Sequence, residues 1–142
     1  MLVMGNAQSM RKINYEDMQT VMKNPETYLI INTLPSLEQD CLIFNTTLAS
    51  DEEDLINRFL KENKRVRIVI YGKNCNDDSV NNKYTQLTNL GFTNIYIYLG
   101  GMFEWLLLQD IFGKDMFPTT KKELDVLKYS SKQLLNIGLI EY

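Results

Sequence analysis

The residues best suited to chemistry lie in one polar stretch, Gly72, Lys73, Asn74, Cys75, Asn76, Asp77, Asp78 and Ser79, directly after the apolar run VRIVIY at 66–71. Cys75 supplies a thiol, Lys73 a cation, and Asp77 and Asp78 two carboxylates. A thiolate is the reactive form of cysteine. Cations and convergent N–H groups favour it, and nearby carboxylates raise the thiol pKa and oppose it. Lys73 and the two acids therefore pull Cys75 in opposite directions. Asp78 is also placed to cap a following helix, where the dipole offsets its charge.

The rest of the composition removes alternatives. The chain has no histidine, which excludes every Ser-His-Asp and Cys-His scheme and the commonest metal ligand. Cys41 and Cys75 cannot supply a structural zinc set or a disulfide framework, so no metal and no cofactor is expected, and a reducing compartment fits. Cys41 lies in the apolar run CLIFN and reads as a small buried hydrophobe. The acids 51–54 have the spacing of a helix N-terminus and no calcium-loop pattern follows them. A net charge of −3 gives no chain-wide footprint for phosphate backbones, so nucleic acid is not an expected partner. At 142 residues, 44% hydrophobic and 23% charged, the chain has the length and composition of one globular domain. No apolar run reaches the roughly 18 residues of a membrane span and no secretory h-region opens the chain, so a cytoplasmic location is expected. Residues 4–9, MGNAQS, have the form of an N-myristoylation signal on Gly5, usable only if translation starts at Met4.

These residues must be positioned by a regular framework. Residues 1–13 read as a loose arm. Asn14 caps a helix through 23, with an apolar face of Met18, Val21 and Met22 that ends before Pro25. YLIIN at 28–32 and CLIFN at 41–45 read as buried strands. Ser50 and Glu53 form a capping box for the next helix, whose core face is Leu55, Ile56, Phe59 and Leu60. VRIVIY is the strongest strand. A helix over 79–90 follows, closed by Gly91, then the strand NIYIYL and the apolar helix MFEWLLLQDIF. Thr119 or Thr120 caps a last helix, or an extended tail, in KKELDVLKY. Alternation with short connections predicts an α/β fold: a doubly wound, mostly parallel sheet with helices on both faces. In such sheets ligands bind beyond the carboxyl ends of strands, where the loop carrying Cys75 sits. Trp105 reads as core, with Phe103, Leu106, Leu107 and Ile111 around it, and Tyr96 and Tyr98, on one face of their strand, read as lining a pocket rim or ending in solvent, with solvent the expectation.

The segment IVIYGKNCNDDSV, followed by Gly91-Phe92, NIYIYL and GGMFEW, resembles the rhodanese-like (sulfurtransferase homology) domain. The resemblance spans about 14–128, leaving 129–142 as a C-terminal extension. It implies a cysteine that carries a persulfide within a tight loop of converging N–H groups. Three departures stand out. The family's cysteine register falls on Gly72, with Cys75 three positions later; the loop has no arginine; and Asp77 and Asp78 adjoin the thiol. The expected function is thus a binding or regulatory module with a degenerate loop and weak or no sulfur transfer, taking a small anionic or thiol ligand or a protein partner. The alternative is a thiosulfate or persulfide sulfurtransferase in which Cys75 is the catalytic nucleophile, Lys73 attracts the donor and amides from Asn76 to Ser79 hold the persulfide. Cysteine-dependent phosphatases of the same fold are disfavoured, because no arginine is present to clamp a phosphate.

Overall fold

The computed structural model describes residues 10–135. Four strands, β1 (Arg11–Ile13), β2 (Tyr28–Asn32), β3 (Arg67–Tyr71) and β4 (Asn94–Tyr98), form one sheet in the order β1-β4-β3-β2, with every pairing parallel. The helices are α1 (Tyr15–Lys23), α2 (Ala49–Glu62), α3 (Asp78–Asn89) and α4 (Gly101–Phe112), with 3-10 turns at Ser36–Glu38 and Val126–Tyr129. The step from β1 to β2 crosses the sheet in the direction opposite to the steps from β2 to β3 to β4. With crossovers of one hand, α1 must then lie on the face opposite to α2 and α3.

The side chains bear this out. Ile30, Val69, Tyr71 and Tyr98 pack with Met18, Val21 and Met22 of α1 and with Met102, Trp105 and Leu106 of α4. On the other face Ile31, Ile68, Ile70, Ile95 and Ile97 pack with Ile56 of α2 and with Val80 and Leu87 of α3. Burial on both faces is why these strands are nearly continuous in isoleucine and valine. Trp105 is fully buried, edge-on to Tyr98 and Phe117, and its Nε1 donates to the Pro118 carbonyl at 3.1 Å. Leu107 and Ile111, expected beside it, are exposed.

Other expectations are also corrected. The loose arm does not extend to residue 13, because Arg11–Ile13 pairs with β4 as the edge strand; the Gly5 signal lies outside the described residues. CLIFN is not a strand of the sheet. It lies against residues 118–120, with an antiparallel bridge from Ile43 to Thr119, Phe44 N donating to Pro118 O at 3.1 Å and Thr120 N to Leu42 O at 2.8 Å. Thr119 and Thr120 serve this contact and cap no helix: their hydroxyls donate to Lys121 O and Asp40 O. KKELDVLKY forms only the short 3-10 turn, whose Tyr129 is buried in the core, so packing continues past residue 128. The Ser50 capping box is absent. Leu48 already has extended backbone geometry and α2 starts at Ala49, one residue before the serine reaches a capping position. The Asn14 box is present, with Asn14 Oδ1 accepting from Asp17 N and Asp17 Oδ2 accepting from Asn14 N.

The irregular 41–46 segment is held from below by one buried phenol. Tyr71 Oη accepts from Ile43 N at 3.1 Å and lies 2.8 Å from the Thr46 hydroxyl, and burial pushes the Tyr71 pKa upward. Tyr71→Phe removes only this oxygen and strands a buried amide. It is expected to cost about 1–3 kcal/mol in urea unfolding, with the sheet retained by far-UV circular dichroism.

Candidate functional site

The loop between β3 and α3 is organised by the Asp77 side chain. Its Oδ2 accepts from Lys73 N at 2.9 Å, and its Oδ1 accepts from Ser79 N at 3.0 Å and from the Ser79 hydroxyl at 2.6 Å. Asp77, not Asp78, is therefore the N-cap of α3, and Asp78 is an exposed residue of the first turn. Gly72 lies directly under this carboxylate. A Cβ there would collide with Asp77 Oδ2, Val80 Cγ2 and Thr33 Oγ1. Ser79 Oγ also lies 2.7 Å from Thr33 Oγ1, which ties the loop to the end of β2.

The opposite wall is the start of α4. Met102 N donates to Gly72 O at 2.9 Å and Phe103 N to Lys73 O at 2.8 Å, so loop carbonyls occupy the first free amides of that helix. The approach requires glycine at 101: its φ is +66°, and a Cβ would stand 2.6 Å from Gly72 O. Gly100, its neighbour, lies under the Glu104 side chain. Glu104 Oε1 accepts from the Tyr98 phenol at 2.6 Å. Tyr98 is buried, contrary to the solvent position expected for it, and burial followed by the Glu104 carboxylate pushes its pKa upward. Tyr96 is half-buried beneath the Arg11 guanidinium, 4.4 Å from ring centroid to Cζ.

Cys75 is exposed at the tip. The carboxamides on either side of it are fixed by the chain beyond the helices: Asn74 Nδ2 donates to Tyr129 O at 2.7 Å and Asn76 Nδ2 to Ser131 Oγ at 3.1 Å. Amides near the thiol are engaged within the loop, Asn76 N with Asn74 Oδ1, Asp77 N with Asn74 O and Ser79 N with Asp77. Lys73 turns away to Glu38, 3.3 Å from Nζ to Oε2. Cys75, Asn74, Asn76, Asp77 and Asp78 border a cleft of about 580 Å³ that β1 and β4 close with Lys12, Ile97 and Tyr98. Ser79 faces a second cleft of about 550 Å³, shared with Asn32, Thr33, Gln39 and Asn82. The structure thus brings Cys75 and the two acids to one cleft and sets Gly72, Lys73 and Ser79 apart from it. Sequence reasoning missed Lys12, Thr33 and the clamp from Tyr129 and Ser131. The three-residue strand and the aperiodic tail carry no local pattern that would reveal them. Cys41 is buried, donates to Lys121 O at 3.2 Å and has its pKa raised by burial, as a structural thiol should. Among the described residues no group of three or more His, Cys, Asp or Glu is placed to hold a metal ion, and no helix is long and apolar enough to cross a membrane.

The two aspartates separate cleanly by experiment. Asp77→Ala removes a cap and a clamp and is expected to cost about 2 kcal/mol in urea unfolding. Asp78→Ala removes an exposed first-turn charge and is expected to cost under about 1 kcal/mol.

Comparison with known proteins agrees with this architecture. Residues 43–108 match the family model of the Rhodanese-like domain. Among solved structures, the Alr3790 protein from Anabaena sp. is similar at 19% identity, covering 82% of this chain and 97% of that one with a TM-score of 0.55. The solution structure of the rhodanese-like domain of Alr3790 is 18% identical and covers 94% of both chains with a TM-score of 0.53. The BH2092 protein from Bacillus halodurans is 13% identical, covering 68% of this chain and 72% of that one with a TM-score of 0.54. A search of curated proteins gave no match. Together with the sheet order, the loop after β3 and the glycine step into α4, these likenesses give the chain the fold of rhodanese-like domain structures, with residues 43–108 matching the family's model.

Proposed function

We propose that the domain is a binding or regulatory module whose loop does not carry sulfur. The observation that supports this reading is the Asp77 carboxylate lodged over Gly72, accepting from Lys73 N and Ser79 N. Converging amides at a helix N-terminus are what stabilise an anionic sulfur. Here a fixed internal anion takes them. A second anion at the same place would meet carboxylate repulsion in a part-buried setting. Cys75 lies outside this arrangement, exposed, and Lys73 is paired with Glu38. The cleft it borders has Lys12 to attract a small anionic or thiol ligand, and it is open enough to admit a segment of a protein partner.

The second reading is a sulfurtransferase. It is favoured by the exposure of Cys75 on a cleft that also holds Lys12. In that case the Cys75 thiolate attacks the outer sulfur of thiosulfate, sulfite leaves with the bonding pair, and a thiol or cyanide acceptor later takes the sulfur.

Intact mass after incubation with thiosulfate or 3-mercaptopyruvate distinguishes the two, with Cys75→Ser as control. The proposal expects no added sulfur in either protein. One cyanide-labile sulfur on the wild type that is missing from Cys75→Ser would overturn it and establish the transferase.

A further inference from the structure

Every strand of this sheet runs the same way, so every helix returns the other way, and charge that suits helix ends accumulates at opposite ends of the molecule. The end bearing the Cys75 loop holds the acids of the helix starts, Glu16 and Asp17 of α1, Asp51 and Glu52 of α2 and Asp78 of α3. The opposite end holds Arg58 and Lys61 of α2, Lys64 and Arg65 of the following turn, and Arg67 and Arg11 at the starts of β3 and β1. All six are exposed. The ion pairs among the described residues involve Lys73, Lys83, Lys121 and Lys128, and none of these six. Glu62, Glu26 and, one turn before Arg58, Asp54 are acids that the chain places near them.

The cluster is tied together by uncharged contacts. Arg11 Nη2 donates to Thr93 O at 2.9 Å and to Asn94 Oδ1 at 3.5 Å, and Asn94 Nδ2 donates to Arg65 O at 2.8 Å. Arg67 stands over the Tyr28 ring at 5.7 Å and Arg58 over the Phe59 ring at 5.5 Å. We propose that this cationic end docks on an anionic phospholipid surface, leaving the Cys75 loop directed away from it.

Charge complementarity and distance carry the argument. A helix of the length of α2 spans about 21 Å, which is about two Debye lengths at 0.1 M salt. A negatively charged plane against the cationic end is therefore screened from the acidic end, and the net charge of −3 does not prevent binding. Cations lying over half-buried aromatic rings suit the headgroup region, where amphipathic rings are preferred. A nucleic acid offers the same phosphate charge and could also use the rings, so the test below includes it as an outcome.

The test uses the full chain with vesicles of phosphatidylcholine containing roughly 30% phosphatidylserine at about 0.1 M salt. Co-sedimentation with these vesicles and none with pure phosphatidylcholine is expected. The triple variant Lys64→Gln, Arg65→Gln, Arg67→Gln, checked for an unchanged circular dichroism spectrum, should weaken the partition by about a hundredfold, near fivefold per cation. The double variant Glu16→Gln, Asp51→Asn at the other end should change it less than about twofold. Equal binding to both vesicle types, no binding to either, or an unaffected cationic-end variant would overturn the proposal. Retention of an RNA duplex without retention of vesicles would reassign the face to nucleic acid and overturn it as well.

Discussion

The carboxylate of Asp77 is the joint on which the site depends. It holds the end of β3 through Lys73 N, starts α3 through Ser79 N, and reaches β2 through the Ser79 and Thr33 hydroxyls. Hydrogen bonds to a charged acceptor are among the stronger ones, about 1.5–3 kcal/mol each. Everything else at this end is fitted around the loop that results. The first amides of α4 take its carbonyls, Gly101 supplies the left-handed backbone that permits the approach, and the chain at Tyr129 and Ser131 ties the carboxamides flanking Cys75. The loop is held on three sides, with the thiol at its outer edge.

The same parallel topology that builds the site also sorts charge. Helix starts collect acids because the N-terminal dipole favours them, and the turn that leads into β3 is free to carry cations. The acids at the helix starts and the cations after α2 are thus two products of one arrangement of strands, separated by the length of a helix.

The framework was legible in the sequence where local pattern and tertiary packing agree. YLIIN, VRIVIY and NIYIYL read as strands because both faces of each are buried, and α1 was delimited by the Asn14 box at one end and Pro25 at the other. The resemblance rested on the glycine-aromatic step and GGMFEW, whose second glycine is required by a close backbone approach. The failures share a cause. CLIFN has a strand's composition, yet its hydrogen bonds go to residues 118–120, some 75 positions away, and no local feature announces that partner. Arg11–Ile13 is too short for a period to be seen. Ser50 with Glu53 satisfied the capping pattern, but the preceding backbone had already entered the helix. At the site, the residue types pointed to Asp78 as the cap. Only the geometry assigns Asp77 and shows that its second oxygen reaches back to Lys73.

The central claim of the functional reading is that the loop's own carboxylate takes the place of an external anion. Amide resonances of Lys73 and Ser79 followed by nuclear magnetic resonance during a thiosulfate titration, in the wild type and in Asp77→Gly, test it most directly. The account predicts that neither amide responds in the wild type and that both shift saturably once the carboxylate is removed. Saturable shifts of both amides in the wild type would contradict it.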